Sequence, residues 1–176
     1  MRGLTILMAV PLLAACGSGA TDADGDGTIS MEEAAREAES GGIKPEPGQY
    51  RSTVELVSVD IPNAPPQVIE MMKGSMSGQS SEYCLTAEEA EKGFERMARE
   101  SNSGDCAFES FDVDGGDIDA VMVCNQQGNE LRMTLDGTGT RTSSQMRMTM
   151  EGEVPGMGRM TMAMNANHER IGDCAS

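Results

Sequence analysis

Three segments near the C-terminal end alternate apolar with polar residues at a strict period of two. They read "NELRMTL", "SSQMRMTME" and "GRMTMAMNANHERIG". Such alternation is typical of an extended strand with one shielded and one solvent-facing side, and glycine-containing turns separate the runs. The apolar members share one parity in each run, so they fall on one sheet face: Leu131, Met133, Leu135, Met146, Met148, Met150, Met160, Met162 and Met164.

Earlier segments predict further strands of the same sheet. "YRSTVELVSVD" is rich in β-branched residues, and its apolar positions change parity between Leu56 and Val57, which indicates a bulge. "DCAFESFDV" and "DIDAVMVC" flank the hairpin signal Asp114, Gly115 and Gly116. We therefore expect a mainly β protein: an antiparallel meander of about six strands, forming a curved sheet or a partial barrel.

Helices are expected at two main places. "SMEEAAREAES" is rich in Ala and Glu and predicts a short N-terminal helix that ends at Gly41 and Gly42. "TAEEAEKGFERMARE" begins with a capping box and places four apolar residues on one face, which predicts a helix packed on the sheet; these residues are Ala87, Ala90, Phe94 and Met97. A shorter helix is expected near 67–73.

The N-terminus "MRGLTILMAVPLLAAC" predicts export. One basic residue, Arg2, precedes an apolar run that is too short to span a bilayer, as in secretory signals. Leu13, Ala14, Ala15 and Cys16 match the lipobox of bacterial lipoproteins. We expect residues 1–15 to be a signal peptide and Cys16 to carry the lipid.

The other four cysteines predict two disulfides, because an even number in an oxidising compartment is usually paired. Three connectivities are possible, and the spacing does not fit a zinc site. A hairpin that turns about Gly115 places Cys106 opposite Cys124. That pairing leaves Cys84 with Cys174.

The segment "TDADGDGTISMEE" has the ligand spacing of an EF-hand calcium loop. Carboxylates alternate along it, Gly27 permits the sharp turn, and Ile29 stands where such loops pair with a sister loop. The expected calcium ligands are Asp22, Asp24, Asp26, Thr28, Ser30 and Glu33. We expect weak binding, at ~10⁻⁴ to 10⁻³ M.

A second interpretation of the same segment needs no metal. Ser30 and Glu33 have the spacing of a capping box that begins the short helix, so both interpretations use Glu33. Only residues 17–21 separate Cys16 from the loop, which leaves no room for an entering helix, and the sequence contains no second loop.

Three motifs together carry a family resemblance. "PGQYRSTVELVSVDIP", "YCLTAEEAEK" and the closing "RIGDC" resemble a bacterial exported family known as domain of unknown function 3617. The resemblance covers roughly residues 43–174, and the Met-Thr-Met runs fit it. It implies the architecture and an exported location, without catalytic residues to transfer.

These observations predict three parts: a signal peptide (1–15), a lipid-anchored tether with the loop 22–33 and the short helix (16–45), and a disulfide-bonded β domain (46–176). The formal net charge of −16 should repel the phosphates of nucleic acids and the headgroups of anionic lipids. Nucleic-acid partners are therefore not expected, and membrane contact should come from the attached lipid alone. Because Gly17 rather than Asp follows Cys16, we expect a periplasm-facing anchor in the outer membrane. The sequence does not identify a protein partner.

No catalytic pattern emerges, so we expect a protein that is not an enzyme. His168 is the only histidine, and four paired cysteines cannot supply a thiolate. The methionine-lined sheet face has three interpretations: core packing, a small-ligand pocket, or a Cu(I) site, since thioethers are soft ligands. The alternative function is therefore a small-ligand or Cu(I)-binding module of the cell envelope.

Overall fold

A computed structural model describes residues 22–76, 78–92, 105–126 and 128–175. The predicted signal peptide and Cys16 lie outside these residues. The described chain contains three helices and seven strands, which are α1 (Met31–Ser40), β1 (Gly48–Asp60), α2 (Pro66–Met76), β2 (Gln79–Leu85), α3 (Ala87–Lys92), β3 (Asp105–Asp114), β4 (Asp117–Gln126), β5 (Asn129–Gly139), β6 (Ser143–Val154) and β7 (Gly158–Gly172). None of the described helices is long and apolar enough to cross a membrane.

All seven strands form one antiparallel sheet in the order β2-β1-β7-β6-β5-β4-β3. The mainly β antiparallel meander is confirmed. The predicted count of about six is one too low, because β2 is an edge strand whose residues are exposed as far as Cys84, so "QSSEYCL" lacks alternation. The sheet is not closed, since β2 and β3 are its two edges.

The hairpin between β3 and β4 has the predicted partners. Asp114 pairs with Asp117 across a turn of two glycines, Gly115 and Gly116, both at positive φ. A bulge between Phe108 and Ser110 then shifts the register by one residue. Below the bulge, Phe108 lies opposite Met122, and Cys106 lies opposite Cys124, as predicted.

A second bulge interrupts β1. The register against β7 shifts between Leu56, which pairs with Met164, and Ser58, which pairs with Ala163. Val57 lies between them and is 46% exposed. The bulge that the change of apolar parity predicts is therefore confirmed.

Both predicted disulfides are formed. Cys106 and Cys124 join β3 to β4, with Cα atoms 4.0 Å apart. Cys84 and Cys174 join β2 to the segment after β7, with Cα atoms 5.4 Å apart. The longer bridge therefore ties one edge strand to the C-terminal end of the chain.

The methionines of the sheet share one face, which we call the methionine face. One cross-strand row contains Met122, Met133, Met150 and Met162, from β4 to β7. The next row contains Leu135, Met148 and Met164. Met146 and Met160 continue the face on either side, so the predicted parity is confirmed.

The helices begin at the predicted caps. Ser30 and Glu33 form a complete capping box at α1, and Thr86 and Glu89 form one at α3. The expected short helix near residues 67–73 is α2. The longer helix predicted after Thr86 is described only as Ala87–Lys92; Phe94 and Met97 lie outside the described residues.

Candidate calcium-binding loop

The Asp22 carboxylate organises the turn of the loop. Its Oδ1 accepts hydrogen bonds from the backbone N–H groups of Gly25 (2.7 Å) and Asp26 (3.1 Å), and its Oδ2 accepts one from Gly27 (2.7 Å). Gly25 and Gly27 adopt φ values of 76° and 91°, which favour glycine. The backbone therefore wraps around the Asp22 carboxylate through three hydrogen bonds.

The following positions continue this pattern. Asp24 Oδ1 accepts from the N–H of Asp26 (3.2 Å), and Asp26 Oδ1 accepts from both the N–H (2.9 Å) and the hydroxyl (2.8 Å) of Thr28. These short-range contacts fix the side chains of alternate residues. The loop is thus ordered from its first predicted ligand to Thr28.

Glu33 connects the start of the loop to α1. Its side chain is buried at 7% exposure. Oε2 accepts hydrogen bonds from the N–H and the hydroxyl of Ser30, each 2.8 Å, and Oε1 accepts one from the N–H of Ala23 (2.8 Å). The capping box is confirmed. Among the described residues Oε1 accepts one hydrogen bond, and a carboxylate oxygen can accept two.

Three of the six predicted ligands form one group. Oxygen atoms of Asp22, Asp24 and Glu33 all lie within 4.8 Å of one another. Asp26 is not part of that group; its Oδ1 accepts hydrogen bonds from Thr28. The three grouped carboxylates could hold a hard cation, to which the Thr28 carbonyl and the Ser30 hydroxyl could add oxygen ligands.

The electrostatics of the group favour a cation. Backbone N–H donation from Gly27 is the main cause that lowers the pKa of Asp22. Donation from the Asp26 N–H lowers the pKa of Asp24, but the neighbouring acidic groups outweigh it and raise that pKa above its ordinary value. A divalent cation would relieve this repulsion between like charges.

Ile29 attaches the loop to the sheet. Its N–H donates to the carbonyl of Phe108, and the N–H of Phe108 donates to the carbonyl of Ile29, both at 2.8 Å. The two residues form an isolated antiparallel bridge at the outer edge of β3. The sequence suggested a missing sister loop as the partner of Ile29, and the structure pairs it with a strand of the β domain instead.

Apolar contacts reinforce the bridge. Ile29, Ala34, Phe108 and Ala120 form one buried cluster, and Ala38, Ile43 and Val113 form a second cluster along α1. The predicted boundary at residue 45 stays a prediction, but residues 29–43 share their buried contacts with β3 and β4. The only sequence signal for this docking was the apolar character of Ile29 and of the alanines in α1.

The β domain, without the acidic loop and α1, matches a known protein family. Residues 45–174 match the family model described as "Protein of unknown function (DUF3617)". The chain belongs to this family. The DUF3617 region begins after α1 and spans every strand of the sheet, whereas the loop and α1 precede it. No curated protein and no solved structure matches the chain.

Proposed function

We propose that this DUF3617 protein is a non-enzymatic envelope lipoprotein whose N-terminal loop binds Ca²⁺ while docked on the β domain. The observation that carries the proposal is the bridge between Ile29 and Phe108, which holds an already folded loop of three convergent carboxylates. In paired EF-hand loops a sister loop provides this support; here β3 provides it.

The donor set suits calcium better than magnesium or a transition metal. Ca²⁺ takes six to eight oxygen ligands in flexible geometry, and a loop of carboxylate, carbonyl and hydroxyl oxygens offers that number. The loop has no histidine or free thiol that would favour a softer metal. Because the described residues include neither an entering helix nor a second loop that pairs with this one, we propose a Kd of ~10⁻⁴ to 10⁻³ M, typical of extracellular modules.

Calorimetric titration of the full chain with CaCl₂ tests the site. Asp22→Asn and Glu33→Gln remove charge from the group, whereas Glu32→Gln is the matched control. Glu32 is the adjacent residue, exposed and paired with Arg36 at 3.2 Å, and it does not belong to the group. We expect binding heat for the wild type and Glu32→Gln only. Absence of heat at millimolar calcium, or equal heat in all four proteins, would contradict the calcium proposal.

The envelope location rests on the N-terminal sequence. We propose that the chain is cleaved before Cys16, that Cys16 is lipidated, and that the protein faces the periplasm from the outer membrane. Metabolic labelling with palmitate, followed by membrane fractionation, tests this for the wild type and for Cys16→Ala. We expect label and membrane association only in the wild type. A Cys16→Ala variant that keeps its label would contradict the anchor.

A further inference from the structure

We propose that the methionine face of β5, β6 and β7 binds the soft monovalent cation Cu(I) through thioether sulfurs. The centre of the site is the cross-strand row Met133–Met150–Met162, with Met148 and Met164 in the adjacent row. The proposed ligands are thioether sulfurs and not carboxylates, so the proposal does not depend on the proposed function.

Cross-strand geometry brings these sulfurs within reach of one another. Side chains directly opposite in an antiparallel pair have Cβ atoms about 4.5–5.5 Å apart. Met133, Met150 and Met162 are direct partners on three adjacent strands, and Met148 lies directly opposite Met164. Methionine has three rotatable side-chain bonds, so several thioethers of one row can turn toward a common point.

Two methionines of β7 are more deeply buried than those of β5 and β6. Met162 and Met164 are 5% and 9% exposed, whereas Met133, Met148 and Met150 are only partly buried. Met122 at the β4 end of the row, and Leu135 in the adjacent row, pack against the buried cluster around Ile29. The row is therefore shielded on β4 and β7 and more accessible on β5 and β6.

The soft-ligand chemistry of the β domain is restricted to thioethers. Cys84, Cys106, Cys124 and Cys174 are all in disulfides and have no thiolate to offer. Thioether sulfur prefers soft Cu(I) over hard cations such as Ca²⁺. The net charge of −16 further favours the approach of a cation over that of an anion.

Competition with a chromogenic Cu(I) chelator under anaerobic conditions tests the site. Every sample is the full chain with Cys16→Ser, so that no free thiol competes for copper. The test variant is Met133→Leu with Met150→Leu, which conserves volume; the control is Met71→Leu with Met157→Leu, on α2 and in the β6–β7 turn. We expect the Cys16→Ser chain with all its methionines and the control to withdraw copper equally, and the test variant to bind at least tenfold more weakly.

A second measurement uses the Cys16→Ser chain with no methionine replaced and does not depend on the folding of the test variant. Titration with Ag(I), a redox-stable substitute for Cu(I), is followed by NMR of methionine ε-methyl groups. We expect the Met133 and Met150 methyl signals to shift, while that of Met71, which is 67% exposed on α2, stays in place. Failure to withdraw copper from the chelator, equal affinities of the test and control variants, or methyl signals that do not move would overturn the proposal.

Discussion

Ile29 and Phe108 exchange two backbone hydrogen bonds of 2.8 Å across an isolated antiparallel bridge. Phe108 belongs to β3, which is an edge strand, and edge strands expose unpaired backbone groups. The bridge satisfies part of that edge, and the bulge that follows Phe108 interrupts the remainder. Folding of the acidic loop and protection of the sheet edge are therefore coupled at one position.

The first prediction concerns this anchor. Ile29→Ala should destabilise the protein by about 2–3 kcal/mol, at the low end for a large-to-small core change, because the cluster around Ile29 is small. Val57→Ala is the control: Val57 is 46% exposed in the β1 bulge, and its loss should stay within about 0.5 kcal/mol. Denaturant unfolding measures both, and equal losses would show that Ile29 does not anchor the loop.

The second prediction concerns pH in calcium-free buffer. Hydrogen bonds from the backbone and the hydroxyl of Ser30, with a further bond from Ala23, lower the pKa of Glu33 below its ordinary value of 4.5. The ionised form is therefore favoured in the folded state. Its contribution to the free energy of unfolding is present above pH 4.5 and is lost as the pH falls through the lower folded pKa.

Unfolding of the wild type and of Glu33→Gln between pH 7 and pH 3 measures this effect. We expect the stability difference between the two proteins to be constant near neutrality and to shrink on acidification. A difference that widens toward acidic pH would contradict the assigned role of the Glu33 carboxylate.

The third prediction compares the disulfides. Their sequence separations are 90 for Cys84–Cys174 and 18 for Cys106–Cys124. On the loop-entropy estimate, replacement of both cysteines by alanine should cost about 4.6 kcal/mol for the longer bridge and about 3 kcal/mol for the shorter. Paired alanine variants, compared by denaturant unfolding, give the order. A larger loss from the shorter bridge would mean that native-state effects outweigh loop entropy.

The fourth prediction concerns Gly137 in β5. A Cβ atom at this position would collide with the Gln145 carbonyl oxygen and would lie 2.8 Å from the Met146 Cα, and these backbone atoms cannot move aside cheaply. Gly137→Ala should therefore lower the melting temperature strongly. Gly74→Ala, in exposed α2 with no atom within 4 Å of a new Cβ, should raise stability by about 0.4–1 kcal/mol. Similar effects at both sites would contradict the close approach of β5 and β6.

The strands with clear alternation could be predicted from the sequence, whereas β2, which lacks alternation, could not. The methionine runs and the Val57 bulge could be predicted because one side of each strand is shielded from solvent. Shielding of one side gives the apolar residues a period of two along the strand. β2 carried no such signal because nearly all its side chains are exposed. Edge strands of this kind are defined by backbone pairing, which leaves little trace in the side-chain pattern.

The Cys106–Cys124 pairing was predicted correctly, although the prediction did not include the bulge in β3. A turn centred on Gly115 predicted the pairing, but the real turn uses both Gly115 and Gly116, which shifts the register by one residue. The bulge at Glu109 shifts it back, and Glu109 forms an ion pair with Arg132 of β5 at 2.7 Å. This bulge could not be predicted, because both flanking segments keep their apolar content.

The docking of the acidic loop was also beyond sequence reasoning. Loop geometry and the capping box are local, so residue types at fixed spacing predicted them. The pairing of Ile29 with Phe108 joins residues that are 79 positions apart in the sequence, and it depends on which edge of the sheet is free. Long-range contacts of this kind follow from the strand order, which the alternation of residues does not specify.

Thermal unfolding in the presence and absence of calcium tests the central claim most directly. The chain has no Trp and only two Tyr residues, Tyr50 in β1 and Tyr83 in β2, stacked with ring centroids 5.7 Å apart. Tyrosine fluorescence therefore reports on the β domain, at the opposite edge of the sheet from the loop. At 10 mM CaCl₂, a Kd of ~10⁻⁴ to 10⁻³ M should stabilise the folded state by about 1–3 kcal/mol.

We predict that calcium raises the melting temperature recorded by the tyrosines in the wild type, and that it has no effect on Glu33→Gln. Magnesium at the same concentration serves as the ionic control and should produce a smaller shift. If the tyrosine melting curve is the same in calcium, magnesium and chelator, the loop is not a calcium site coupled to the sheet through Ile29 and Phe108.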